Sequence, residues 1–163
     1  MNFKPKFVKK GDSKTSNETN RSYDPITKYM ATDLVTFTPD TEIIEVIDAM
    51  LEHKFSGAPV LNENKELVGI ISEQDCLTVI VDSVYHNLPI SKSIVSKYMT
   101  TDLQTIKLDA DILDVANKFL NSHFKRFPVV DDKGRLVGQV SRRDILRAVK
   151  AMNITTWQKE LAN

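Results

Sequence analysis

The stretch Leu67-Val68-Gly69-Ile70-Ile71-Ser72-Glu73-Gln74-Asp75-Cys76-Leu77 returns as Leu136-Val137-Gly138-Gln139-Val140-Ser141-Arg142-Arg143-Asp144-Ile145-Leu146. Each version is a run rich in β-branched residues that stops at a serine, with an aspartate three positions on and an apolar stretch behind it. That order predicts a strand feeding a helix, with Ser72 or Ser141 as N-cap and Asp75 or Asp144 closing a capping box. The glycine lets neighbouring backbone come close. The offset is 69 positions, the distance from Tyr29 to Tyr98, and it holds outward without a gap. Thr32-Asp33-Leu34 falls on Thr101-Asp102-Leu103, Ile43 on Ile112, Val46 on Val115, Phe55 on Phe124, and Pro59-Val60 on Pro128-Val129. Composition alone does not keep so many identities in one register, so the chain carries one unit twice.

Each unit reads alike. Asp40 or Thr41 is a candidate N-cap for a helix with Ile43, Ile47, Met50 and Leu51 at helical spacing. Its second version presents Ile112, Val115, Ala116, Phe119 and Leu120. Two short strands around a polar turn follow, Asn62-Glu63-Asn64-Lys65 or Asp131-Asp132-Lys133-Gly134, making a hairpin. Pro59 and Pro128 place an irregularity or an edge in the first strand of each. The last helix runs to about residue 85 or 152. With extended Val35-Thr36-Phe37 and Gln104-Thr105-Ile106, the order is strand–helix–strand–strand–helix, twice, an α+β architecture. One such unit is near the lower size limit for a stable core, so the copies are expected to pack as a single body. The predicted divisions are a disordered polar tail over 1–23, a first unit over 24–88, a second over 89–152 and a C-terminal extension over 153–163. Asp24-Pro25 reads as N-cap and first residue of a short helix through Tyr29, and residues 90–98 read as its second version.

Composition removes several classes of function. Of 163 residues, 22 are Lys or Arg and 22 Asp or Glu, so no global field attracts nucleic acid or a membrane surface. The tail lysines Lys4, Lys6, Lys9, Lys10 and Lys14 read as solvated. The single cysteine, Cys76, excludes an internal disulfide framework, and His53, His86 and His123 lie too far apart for metal-ligand spacing. No apolar stretch is long enough to span a bilayer, and the N-terminus lacks the apolar core of a secretory signal, so a cytoplasmic location is expected. Ser72 and Ser141 have no local histidine or nucleophile elbow. The aspartates recur in equivalent halves rather than flanking one bond. A non-enzymatic role is expected.

The two copies differ in charge. Helix N-termini carry partial positive charge and favour acidic neighbours; Glu73 obeys this, whereas Arg142 and Arg143 put two cations in the first turn. The second copy also has Lys125-Arg126 where the first has Ser56-Gly57. A solvated surface turn is one explanation; an anion such as phosphate, held jointly by helix N–H groups and arginines, is the other.

With the Tyr-Met-x-Thr-Asp-Leu openings, the Phe-x-x-x-Pro-Val strands, Leu-Val-Gly and the two Gly-x-x-Ser-x-x-Asp segments in place, the chain resembles a tandem pair of CBS domains, a stand-alone Bateman module. The resemblance covers residues 25–150. It implies two βαββα units related by pseudo-two-fold symmetry, with two clefts between their sheets. It implies a regulatory module that binds an adenosine-containing ligand, AMP, ADP or ATP ahead of S-adenosylmethionine, and needs no cofactor. Asp75 and Asp144 match the ribose-binding carboxylate, and Ser72 and Ser141 the hydroxyl near phosphate. Lys125, Arg126 and Arg143 match positions that are basic in nucleotide-binding members. Adenine is expected near Thr32 or Thr101, beside the Pro59 or Pro128 strand. Ser56, Gly57 and Gln74 depart from the basic pattern, which predicts one competent cleft or two of unequal affinity. A homodimer through the helices is expected, with Leu77, Ile80, Leu146 and Val149 supplying apolar surface, alongside a regulated partner of unstated identity. The alternative is a ligand-free dimerisation module.

Overall fold

The structure of the protein is a computed structural model that describes residues 24–87 and 89–160. The expected tail over 1–23 lies outside the described residues. In the first copy, helix α1 (Ile43–His53) buries Ile43, Val46 and Met50. Strands β1 (Gly57–Leu61) and β2 (Leu67–Ser72) form the hairpin, and helix α2 (Glu73–His86) turns Cys76 and Val79 inward. The second copy repeats this with β3 (Ile106–Lys107), α3 (Ile112–Leu120), β4 (Arg126–Val130), β5 (Leu136–Ser141) and α4 (Arg142–Glu160). Both hairpins are antiparallel, and each is irregular after the same position, Val60 or Val129. Among the described residues no helix is long and apolar enough to cross a membrane.

Two cores result, and neither is contiguous in sequence. The core of the second copy, centred on Phe127, Val115 and Val140, includes Ile26, with Tyr29 and Met30 packed against it. The core of the first copy, centred on Ile43, Val60 and Ile71, includes Val95, with Tyr98 and Met99 against it. Each opening segment, grouped by sequence with the unit that follows it, thus packs on the other unit. Main-chain bonds fix the exchange. Ala31 and Gln139 bond reciprocally, N to O, at 2.8 Å each way, and Thr100 and Ile70 do so at 2.9 and 3.0 Å. Ile26 N donates to Ala110 O (3.2 Å), as Val95 N does to Thr41 O (2.9 Å). The pseudo-two-fold axis passes between Glu66 and Arg135, equivalent residues that pair with each other in an antiparallel bridge.

The glycine of each Leu-Val-Gly segment makes this exchange possible. A Cβ on Gly138 would lie 2.7 Å from Met30 Sδ and 2.8 Å from Ala31 O, and one on Gly69 would run into the Met99 side chain. At these two positions the backbone of one unit lies under the opening segment of the other, and only hydrogen fits.

Several local expectations need correction. Neither Asp40 nor Thr41 caps α1: the Thr41 hydroxyl closes a turn with Thr38 N at 3.1 Å, and Glu42 stays extended to bridge Ile94. In the second copy Asp111 is the cap, accepting from Leu113 N (2.8 Å) and Asp114 N (2.9 Å). The leading strand shrinks to a single bridge, Phe37 with Val60, in the first copy and to two residues in the second. The opening helices are 3-10 turns, Ile26–Lys28 in one copy, and Ile90–Lys92 then Val95–Lys97 in the other. Pro25 bridges Asp111 and so stays extended, while the Asp24 carboxylate reaches past it to Lys28 Nζ (2.9 Å) and Tyr29 OH (2.7 Å). Those bonds hold Asp24 below the usual carboxylate range and push Lys28 and Tyr29 up. The C-terminal extension is a continuation of α4 through Glu160.

Candidate functional site

Both Ser-x-x-Asp segments form the predicted caps. Ser72 N and Oγ donate to Asp75 Oδ2 at 2.8 and 2.6 Å, and Asp75 N returns a bond to Ser72 Oγ at 3.4 Å. Ser141 and Asp144 repeat all three bonds at the same distances. In each aspartate Oδ2 is therefore committed to the helix start; Oδ1 of Asp75 is left to meet a ligand, whereas Oδ1 of Asp144 accepts from Arg147 Nη1 at 2.8 Å. Behind the first cap Cys76 is buried, and desolvation, helped by the neighbouring Asp75 charge, pushes its thiol pKa up.

The first cleft has a volume of about 380 Å³. One wall is Gly57, Ile70, Ser72 and Asp75, from the ends of β1, β2 and α2; Thr100, Asp102, Leu103 and Gln104 of the second copy stand opposite. Phe124, Lys125 and Arg126 close it. The second cleft follows by the repeat symmetry, but there Arg126 replaces Gly57 and Gln139 replaces Ile70. Those two longer polar side chains line a pair of adjoining chambers in place of one cavity. One chamber, about 470 Å³, holds Ala31, Ser141, Asp144 and the cations Lys125, Arg126, Arg143 and Arg147. The other, about 210 Å³, holds Asp33, Leu34, Val35, Phe55 and Pro59. Arg126 and Gln139 line all three cavities, so they form the partition between the clefts.

Charge is distributed unevenly. The larger chamber gathers its cations around the single carboxylate of Asp144 at the start of a 19-residue helix, where N–H groups favour anions. Arg142 also lines it, but its guanidinium leans away, donating to Ser122 O at 3.3 Å and lying 6.0 Å from the Phe119 ring. The first cleft balances Asp75 and Asp102 against Lys125 and Arg126.

Most of the residues singled out by sequence converge here. Ser72, Asp75, Lys125 and Arg126 meet at the first cleft; Ser141, Asp144, Arg143, Lys125 and Arg126 meet at the second. Thr32 and Thr101 are exposed and line neither, their places being taken by Ala31 and Thr100 one residue earlier. Pro59 lines the small chamber, whereas Pro128 is buried within β4 and lines none of these cavities. Sequence reasoning passed over Arg147 and Gln139. Arg147 lies one helical turn past Arg143, and aligning the copies sets it against Thr78, a contrast that signals it.

The CBS domain family model matches residues 26–82 and again 95–151. An uncharacterised protein of Methanocaldococcus jannaschii is 35% identical over 141 residues, covering 68% of this chain and 82% of that one. The crystal structure of CBSX2 from Arabidopsis thaliana in complex with AMP superposes with a TM-score of 0.70 at 26% identity, over 81% of this chain and 99% of that one. The CBS domain pair of protein MJ0100, in complex with 5'-methylthioadenosine and S-adenosyl-L-methionine, superposes with a TM-score of 0.64 at 25% identity, over 80% of this chain and 99% of that one. With the duplication, the exchanged opening segments and the paired clefts all in place, this chain belongs to the CBS domain family as a tandem pair.

Proposed function

We propose that the chain is a non-enzymatic sensor that binds an adenosine-type nucleotide, AMP, ADP or ATP, in the clefts between its two CBS repeats and passes the bound state to a partner. The observation that carries this is the convergence of Lys125, Arg126 and Arg143 on the chamber that also holds Ser141 and Asp144. Phosphate neutralises the cations at the helix N-terminus, ribose hydroxyls donate to a carboxylate Oδ1, and the base takes the apolar side of the cleft. The AMP complex of CBSX2 supports the ligand class. The MJ0100 complex keeps S-adenosylmethionine and methylthioadenosine within it, since neither needs a phosphate site. Because each opening segment sits on the opposite unit, a ligand between the units alters how the two halves hold each other. A response follows only where two conformations differ in affinity for it.

Apolar side chains on the outer helix faces support assembly as a homodimer through those helices. Leu77 is 62% exposed on α2 and Leu146 is 70% exposed on α4, with Ile80 and Val149 beside them. The same surface favours the second reading, a ligand-free dimerisation module. A thermal-shift panel of AMP, ADP, ATP, S-adenosylmethionine and NAD separates the two. The sensor gives a shift that grows with ligand concentration as mass action requires; a pure scaffold gives none with any of them.

A further inference from the structure

We propose that Arg147 makes the nucleoside grip of the second cleft conditional on phosphate, so that this cleft discriminates by phosphate content more sharply than the first, whose ribose carboxylate stands open. The inference rests on the nucleotide reading above. In both copies the aspartate Oδ2 is consumed by its serine, leaving Oδ1 as the acceptor for a ligand hydroxyl. In the second copy that oxygen is already taken: Arg147 Nη1 donates to Asp144 Oδ1 at 2.8 Å. The equivalent residue in the first copy is Thr78, whose hydroxyl turns back to Gln74 O at 3.0 Å and leaves Asp75 Oδ1 open.

Arg147 is well placed to let go. Its side chain is 67% exposed, against 13% for Asp144, and it lines the same basic chamber as Lys125 and Arg143. A ligand without phosphate must break the Arg147–Asp144 pair and leave the guanidinium no anion in exchange. A nucleoside di- or triphosphate brings a second anion into the chamber; Arg147 moves to it, two parallel N–H donors matching the phosphate oxygens, and Asp144 Oδ1 is freed for ribose. The phosphate thus contributes twice, by its own contacts and by releasing the carboxylate.

Calorimetric titration of adenosine and of ATP into the full chain tests this, comparing Asp75→Asn, which weakens the first cleft, with Asp75→Asn/Arg147→Thr and Asp75→Asn/Arg147→Gln. An exposed-cation ion pair sustains a small effect, so both Arg147 variants are expected to bind adenosine about twofold to fivefold more tightly and ATP more weakly. Adenosine binding unchanged or weakened in both variants, while ATP still binds the Asp75→Asn chain, overturns the role of Arg147 alone. If ATP fails to bind the unmodified chain as well, the nucleotide reading falls and this role falls with it. A helix-surface role without ligand would shift the melting temperature of the free protein and leave the ATP-to-adenosine ratio unmoved.

Discussion

Gly138 lies directly beneath Met30, so close that an added Cβ would stand 2.7 Å from its Sδ and 2.8 Å from the carbonyl oxygen of Ala31. That contact belongs to the ladder that lays the opening segment of one repeat across the sheet of the other, and it sets the wall on which Ala31 faces Ser141 and Asp144.

Overpacking at this point is expected to be costly. Gly138→Ala should destabilise the fold by about 1–3 kcal/mol in urea unfolding, and Gly69→Ala by a similar amount. The rescues should differ. The three atoms nearest a Cβ on Gly69 all belong to the Met99 side chain, so Met99→Ala should restore most of the loss there. Met30→Ala should restore only part at Gly138, because the Ala31 carbonyl remains. Equal rescue at both sites would contradict the described contacts.

The hairpin turns offer a test with the opposite sign. Gly134 holds φ at +75°, and its counterpart Lys65 holds φ at 64°, in the left-handed region where a side chain is strained. Lys65→Gly should therefore stabilise the protein, by about 0.5–1 kcal/mol, since the strain relieved exceeds the entropy that glycine adds to the unfolded chain. A net loss of stability would show that the Lys65 side chain makes a contact worth more than its backbone costs.

Cys76 should behave as a buried apolar residue. Desolvation raises its thiol pKa, with the Asp75 charge adding to the effect. The folded state therefore holds the proton more tightly than the unfolded chain does. The stabilisation this gives is fully present below the ordinary thiol pKa of about 8.5 and is lost as pH rises past it. Iodoacetamide should label Cys76 far more slowly in native protein than in urea, and stability should decline on the alkaline side. Labelling of native protein at the free-thiol rate would place the sulfur in solvent.

The duplication, the two capping boxes and the α+β unit were legible because they are local or repeated: a fixed offset of 69 is visible without coordinates, and Ser-x-x-Asp acts within one helical turn. The exchange of opening segments was not. Nothing in Tyr29-Met30 says whether it packs on the sheet that follows it or on one more than a hundred residues away, and only the joint fit of Met30 to Gly138 and Met99 to Gly69 decides. The basic site was half legible. Lys125, Arg126 and Arg143 stood out as cations without neighbours to offset them, whereas Gln139 acquires its place in the partition only from its backbone pairing with Ala31. Asp40 misled because it is a good cap by type, while the ladder between Glu42 and Ile94 delays the helix to Ile43.

Assembly has its own check. If the proposed helix-face dimer forms, the unmodified chain should have a dimer's mass in light scattering, and Leu77→Glu together with Leu146→Glu, which places charge on two exposed helix positions, should have a monomer's. A monomeric unmodified chain would contradict the proposed dimer, and a dimeric mass unaltered by the substitutions would move the interface elsewhere.

The most direct measurement is a calorimetric titration of ATP into the unmodified chain, Arg126→Ala and Arg143→Ala, read for both stoichiometry and affinity. Arg126 lines the first cleft and both chambers of the second, whereas Arg143 lines only the basic chamber among these three. Two unequal sites are expected, both weakened by Arg126→Ala and only the second weakened by Arg143→Ala. Two equal sites indifferent to both substitutions, or no heat of binding at all, would contradict the account.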